Sequence, residues 1–119
     1  MDMIQWIILI LLFVFIFNRF MPVKGINNIT SQEAKAKFKD KNVQFIDVRT
    51  PGEYKGNHKK PFKNVPLYEL ANRTNELKKD KEVVVICQSG MRSMKAAKIL
   101  KKRGFENISN VRGGMNAWM

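Results

Sequence analysis

Cys87 is the single cysteine of the chain. It closes the apolar run Val83-Val84-Val85-Ile86 and is followed at once by Gln88-Ser89-Gly90-Met91-Arg92-Ser93. A cysteine does nucleophilic chemistry as a thiolate, so a useful one needs its pKa of about 8.5 lowered by backbone donors, a helix N-terminus or nearby cations. All three are within reach of Cys87. The residues Gln88 to Arg92 can turn successive N–H groups inward, Gly90 permits a tight curl, and Arg92 supplies a permanent cation across the loop. Position and neighbours leave two readings open, a reactive thiolate and a buried cysteine acting as a small hydrophobe.

The elements around Cys87 set the stage for either reading. Four consecutive β-branched residues predict a buried strand over Val83–Cys87, and Ser93–Arg103 reads as a helix closed by Gly104. The cysteine would then sit where a strand hands over to a helix. In open α/β sheets ligands bind beyond the carboxyl ends of the strands, where loop N–H groups and the helix N-terminus stabilise negative charge. Other segments complete the pattern: a weak strand over Ile26–Ile29, a helix opened by the capping box Thr30 to Glu33 and running to about Phe38, and a strand over Val43–Val48 ended by Pro51-Gly52. A short strand over Val65–Leu67 is limited by Pro66, Leu67–Leu77 is helical or turn-rich, and Asn107–Val111 is a last strand. Strands alternating with helices predict an α/β fold, a small, mainly parallel central sheet flanked by helices on both faces.

The first residues differ in kind. Trp6–Phe17 is twelve apolar residues without interruption, and Met3–Met21 covers 19 residues, roughly 28 Å of helix. The expectation is one transmembrane helix over residues 1–21, a linker over 22–25 carrying Pro22 and Gly25, and a folded domain over 26–119. Arg19 and Lys24 on the C-terminal flank predict that this domain faces the cytoplasm. No basic region precedes the run and no small-residue cleavage pattern follows it, which argues against a cleaved signal peptide.

Composition narrows the partners. Twenty-two Lys and Arg against ten Asp and Glu give a net charge of +12, suited to nucleic acid, anionic lipid or small anionic substrates. The lysines are scattered and lack the aromatic interleaving of a base-stacking surface, so no nucleic-acid partner is expected and most are read as solvated faces. Attraction to an anionic leaflet is the most economical account of the excess. One cysteine excludes an intramolecular disulfide and a cysteine-based zinc site, and no metal or cofactor is expected.

Five motifs occur in order. They are Phe45-Ile46-Asp47-Val48-Arg49-Thr50-Pro51-Gly52-Glu53-Tyr54, Gly56-Asn57-His58, Asn64-Val65-Pro66-Leu67, Cys87 to Ser93, and Arg112-Gly113-Gly114-Met115-Asn116-Ala117-Trp118. Together they closely resemble the motif series of single-domain rhodanese-like sulfurtransferases, from about Ile26 to the C-terminus. The resemblance implies a cysteine that takes a sulfane sulfur from a small anionic donor such as thiosulfate and passes it, as a persulfide, to a thiol, cyanide or a protein acceptor. Cys87 would be the nucleophile, and Gln88, Ser89, Gly90, Met91 and Arg92 the cradle for the outer sulfur, with Arg92 binding the donor and stabilising the leaving sulfite. Four residues separate Cys87 from Arg92, which resembles the sulfurtransferases. The related phosphatases and arsenate reductases place five there, which makes room for a tetrahedral oxyanion.

Asp47 and Arg49 belong to the resemblance's Asp-Val-Arg element. They are read mainly as buried polar residues near the site that tie the strand end to neighbouring loops. Glu53 and Tyr54 are read as capping and packing the turn after Pro51, and His58 as structural. Gly113-Gly114 would supply a turn into a final helical stub, with Trp118 packing on the sheet. The chain departs from the family at Lys59-Lys60-Pro61-Phe62, where Ile-x-Gly-Ala is usual. The alternative to an enzyme is a rhodanese-type module that recruits a partner to the membrane.

Overall fold

A computed structural model describes residues 2–20 and 25–119, with side chains of 18–20 excepted. Five strands, β1 (Ile26–Ile29), β2 (Val43–Asp47), β3 (Lys63–Asn64), β4 (Glu82–Ile86) and β5 (Ile108–Val111), form one sheet in the order β1-β5-β4-β2-β3. Every pairing is parallel. A parallel sheet needs both faces covered, and the alternation along β4 shows how the chain does it. Val83, Val85 and Cys87 point into one core, and Val84 and Ile86 into the other.

The first core is closed by α4 (Leu67–Arg73) and α5 (Met91–Lys102), which contribute Leu70, Ala96, Ala97 and Leu100. Alanines on α5 let the helix lie close to β4, so its first turn is held against the strand end that carries Cys87. The second core is closed by α2 (Ser31–Ala36) and a 3₁₀ turn over Gly114–Ala117. Here Phe38, Phe45, Phe62 and Trp118 pack at ring-centroid distances of 5.3–6.1 Å, with Phe38 and Trp118 stacked and the other pairs edge to face. Phe62, in the segment that departs from the family, is therefore a core residue.

The α/β expectation holds, and its strands fall close to their expected bounds with one shift. The third strand is Lys63–Asn64 rather than Val65–Leu67. Beyond it, Val65 and Leu67 donate their N–H groups to the carbonyls of Asp47 and Val48, so the backbone follows the sheet while Pro66 interrupts the ladder. A helix also stands where only a turn was expected. Thr50 and Glu53 form a reciprocal capping box, Pro51 takes the first turn, and α3 runs Pro51–Gly56.

The N-terminal expectation is corrected. The helix α1 spans Met3–Phe20, 18 residues, about 27 Å long, and no helix among the described residues is long and apolar enough to cross a membrane. Asn18 and Arg19 fall within its last turn, so the unbroken apolar part is Trp6–Phe17, about 18 Å against a hydrocarbon thickness of about 30 Å. The longer count needs Met21, which lies outside the described residues, as do residues 22–24 of the expected linker 22–25, Lys24 among them. Without a span among the described residues there is no sidedness to assign. The single-pass membrane localisation, the cytoplasmic orientation and the leaflet account of the lysines fall with it.

Candidate active site

Cys87 follows β4 directly, and the chain then curls through Gln88, Ser89 and Gly90 into α5. Gly90 caps that helix with φ 102°, a left-handed conformation that a side chain would strain. The curl returns the Gly90 N–H to the sulfur at 2.9 Å, and Ser93 Oγ lies 3.3 Å from Sγ on the first turn of α5. Burial pushes the Cys87 thiol up. The Ser93 hydroxyl and the N–H groups of Ser93, Gly90 and Ser89 pull it down, and the balance lies below the ordinary thiol value. The sulfur is thus a buried atom whose anionic form is the one its neighbours stabilise.

Ser93 has one proton and several acceptors around it. Its Oγ also bonds the Gly90 carbonyl at 3.1 Å and the Asn110 Oδ1, and Asn110 Nδ2 donates to Asn28 Oδ1 at 3.1 Å. This chain of polar groups runs from the sulfur across β5 to β1. When the thiol ionises, the Ser93 hydroxyl can turn its proton to the sulfur.

The loop is fixed from behind by the glycine turn. Met115 N–H and Asn116 N–H donate to the Cys87 and Gln88 carbonyls at 2.8 and 2.9 Å. Gly114, with φ +57°, comes so close that a Cβ there would lie 2.2 Å from the Cys87 carbonyl oxygen. The Gln88 side chain is held between Asn116 Oδ1, to which it donates at 2.6 Å, and Arg49, from which it accepts at 3.3 Å.

Residues 30–119 match the family model described as the rhodanese-like domain. The chain belongs to the rhodanese-like family. Among its relatives is a sulfurtransferase of Allochromatium vinosum, 33% identical over 94 residues, which cover 78% of this chain and 88% of that protein. A thiosulfate sulfurtransferase, GlpE of Shewanella oneidensis, is 31% identical over 78 residues, 66% of this chain and 77% of its own. The crystal structure of a rhodanese-like domain protein from Staphylococcus aureus superposes with a TM-score of 0.71 at 33% identity, over 78% of this chain and 91% of that one.

Within this rhodanese-like framework the residues singled out from sequence divide into two groups. Cys87, Gln88, Ser89 and Gly90 form the curl itself and Met91 opens α5, with Ser89 and Met91 exposed. Arg92 lies in the first turn of α5, because the helix begins at Met91 rather than Ser93. Its guanidinium is forked by Glu53, Nη1 to Oε1 at 2.7 Å and Nη2 to Oε2 at 2.9 Å. That pairing holds the Arg92 proton more firmly than usual against the opposing effect of burial. Glu53 is lowered to about 2, by Arg92 first and, against burial, by the Thr50 N–H and hydroxyl.

Asp47 and Arg49 form a buried ion pair behind the curl. Arg49 Nε and Nη2 reach both Asp47 oxygens at 2.8–3.1 Å, and the Arg49 N–H donates to Asp47 Oδ1 at 3.0 Å. Nη2 also donates to the Asn57 carbonyl, while Asn64 Nδ2 donates to the Asp47 and Arg49 carbonyls at 3.0 and 2.9 Å. The pair thus ties the ends of β2, β3 and α3 to Gln88 of the sulfur loop. His58 stacks on Tyr54 with centroids 4.0 Å apart and bonds its carbonyl through Nδ1.

Three residues of the site were missed from sequence as partners of the chemistry: Glu53, Ser93 and Asn110. Glu53 carried a readable signal in Thr50-x-x-Glu53, but that signal gives the cap and not the reach to Arg92. Ser93 shares the inward face of α5 with Ala96, Ala97 and Leu100, and Asn110 lies in a strand buried on both faces, a placement that appears only once the faces are assigned.

Proposed function

We propose that this chain moves a sulfane sulfur from thiosulfate or a related donor, through a persulfide on Cys87, to a thiol, cyanide or protein acceptor. The observation that carries the reading is the sulfur itself, set at a strand–helix junction with the Gly90 N–H at 2.9 Å and the Ser93 hydroxyl at 3.3 Å. Those donors favour an anion on one small atom. In the first half-reaction the Cys87 thiolate attacks the outer sulfur of thiosulfate. The new S–S bond forms as the old one breaks, and sulfite departs with the electron pair. The negative charge then rests on the outer sulfur of the persulfide, where inward N–H groups of the curl stabilise it. An acceptor nucleophile such as cyanide or a thiolate attacks that sulfur in the second half-reaction, and the Cys87 thiolate returns as leaving group.

Arg92 is the cation available to the donor and to departing sulfite. The relatives named sulfurtransferase and thiosulfate sulfurtransferase support the class of donor. The test is mass spectrometry of the protein before and after thiosulfate treatment. One added sulfur on the Cys87 peptide, removed by cyanide and absent from Cys87→Ser, is the expected result. Sulfur transfer by the Cys87→Ser protein at the wild-type rate would refute the reading.

One observation favours a second reading. Cys87 is 0% exposed, so a donor reaches it only if the curl opens, and a module that binds a partner without chemistry needs no such opening. A folded protein on which cyanolysable sulfur never forms would decide for that module.

A further inference from the structure

Arg92 is the cation expected to receive the donor, and it is not free. Glu53 takes two of its N–H groups in a fork of 2.7 and 2.9 Å, and both side chains are about one-third exposed, 35% and 34%. The carboxylate is not there by the accident of a flexible side chain. Glu53 Oε1 also accepts the Thr50 N–H at 3.1 Å and the Thr50 hydroxyl at 3.0 Å, so the capping box of α3 pins it in place independently of Arg92. A negative charge is thus built in beside Arg92.

Asp47 pairs with Arg49, and Glu53 with Arg92, so neither of these cations is left unpaired to offset the Cys87 thiolate. A thiosulfate dianion entering this site meets like charge and must draw Arg92 from its fork. A donor carrying one negative charge meets about half the repulsion. We infer that Glu53 is a specificity-determining residue, which competes with the donor for Arg92 and biases the site toward sulfane-sulfur donors of lower negative charge than thiosulfate.

The inference rests on the sulfurtransferase reading, and one experiment separates the two. The full chain and its Glu53→Gln variant are assayed with cyanide as acceptor and two donors, thiosulfate (a dianion) and methanethiosulfonate (a monoanion). Gln keeps an acceptor for the Thr50 cap but removes the charge. The KM for thiosulfate should fall about three- to tenfold, and that for methanethiosulfonate by less than about twofold, with kcat little changed for both. A thiosulfate KM that stays or rises, as it would if Glu53 merely held Arg92 in place, overturns the inference while leaving the sulfurtransferase reading intact. An equal shift for both donors overturns it too. Failure of the wild-type protein to transfer sulfur from either donor refutes the underlying reading, and the inference with it. Should Glu53→Gln fail to fold, Glu53→Ser, which also removes the charge and keeps a short polar side chain, carries the same expectation and the same refutation.

Discussion

Replacing Gly114 by alanine is the sharpest test of how the fold holds the sulfur. The added Cβ would lie 2.2 Å from the Cys87 carbonyl oxygen and 2.8 Å from the carbonyl carbon and oxygen of Gln88. All three atoms are backbone, so no side chain can swing aside. The φ of +57° adds about 1–2 kcal/mol for a residue with a Cβ, and forced overpacking adds about 1–3 kcal/mol. The expected loss of about 2–5 kcal/mol is a large part of the 5–15 kcal/mol typical of a domain. It corresponds to a Tm at least about 8 °C lower. The strain falls on the two bonds from Met115 and Asn116 that clamp the Cys87 and Gln88 carbonyls, so persulfide formation should fall by more than the folded fraction does. Calorimetry and mass spectrometry after thiosulfate measure the two effects. Gly52→Ala is the control, since nothing lies within 4 Å of its Cβ position and its φ is ordinary. A Gly114→Ala protein with wild-type Tm and wild-type sulfur loading would refute the claim that this close approach positions the loop.

Ser93→Ala removes a donor that pulls the Cys87 thiol down. The pH profile of iodoacetamide alkylation should move to higher pH, with a lower rate at neutral pH, and a superimposable profile would count against the role of the hydroxyl. Glu53 is held at about 2, below the ordinary carboxylate value of 4.5, by Arg92 first, with Thr50 and against burial. Its contribution to stability is present above about pH 4.5 and is lost as pH falls toward 2. Urea midpoints of Glu53→Gln should show a shallower decline over that window, and an unchanged slope would remove the pair from the acid response. Asp47→Asn leaves the Arg49 guanidinium buried without its counter-charge. The expected cost is about 3–5 kcal/mol in urea unfolding, and a loss below about 1 kcal/mol would show that the Asn57 and Gln88 bonds suffice.

The run Val83-Val84-Val85-Ile86 made β4 legible, because a strand buried on both faces has no polar position to disguise it. The capping boxes at Thr30 and Thr50 are equally local signals, and α3 is masked only by Pro51-Gly52, a pair that ends a strand as readily as it opens a helix. The N-terminal run misled for a different reason. A 19-residue count passes through Gln5, Asn18 and Arg19, and Asn18 and Arg19 lie inside the last turn of α1 rather than flanking it.

The residues of the candidate site that stayed hidden have a common cause. In a parallel sheet all the strands deliver their ends to the same edge, so Asp47 at the end of β2, Asn64 at the end of β3, Cys87 after β4 and Gly114 after β5 arrive together from distant places in the chain. A local pattern can name Cys87 as a nucleophile, since its donors come from the next six residues. It cannot name the group that restrains Arg92, because Glu53 is 39 residues away and on another helix. The thiolate is therefore written in one short segment, whereas the charge balance that a donor meets is a property of the assembled sheet edge. Changes at Glu53 should accordingly alter donor choice while leaving the ionisation of Cys87 in place, and changes at Ser93 should do the reverse.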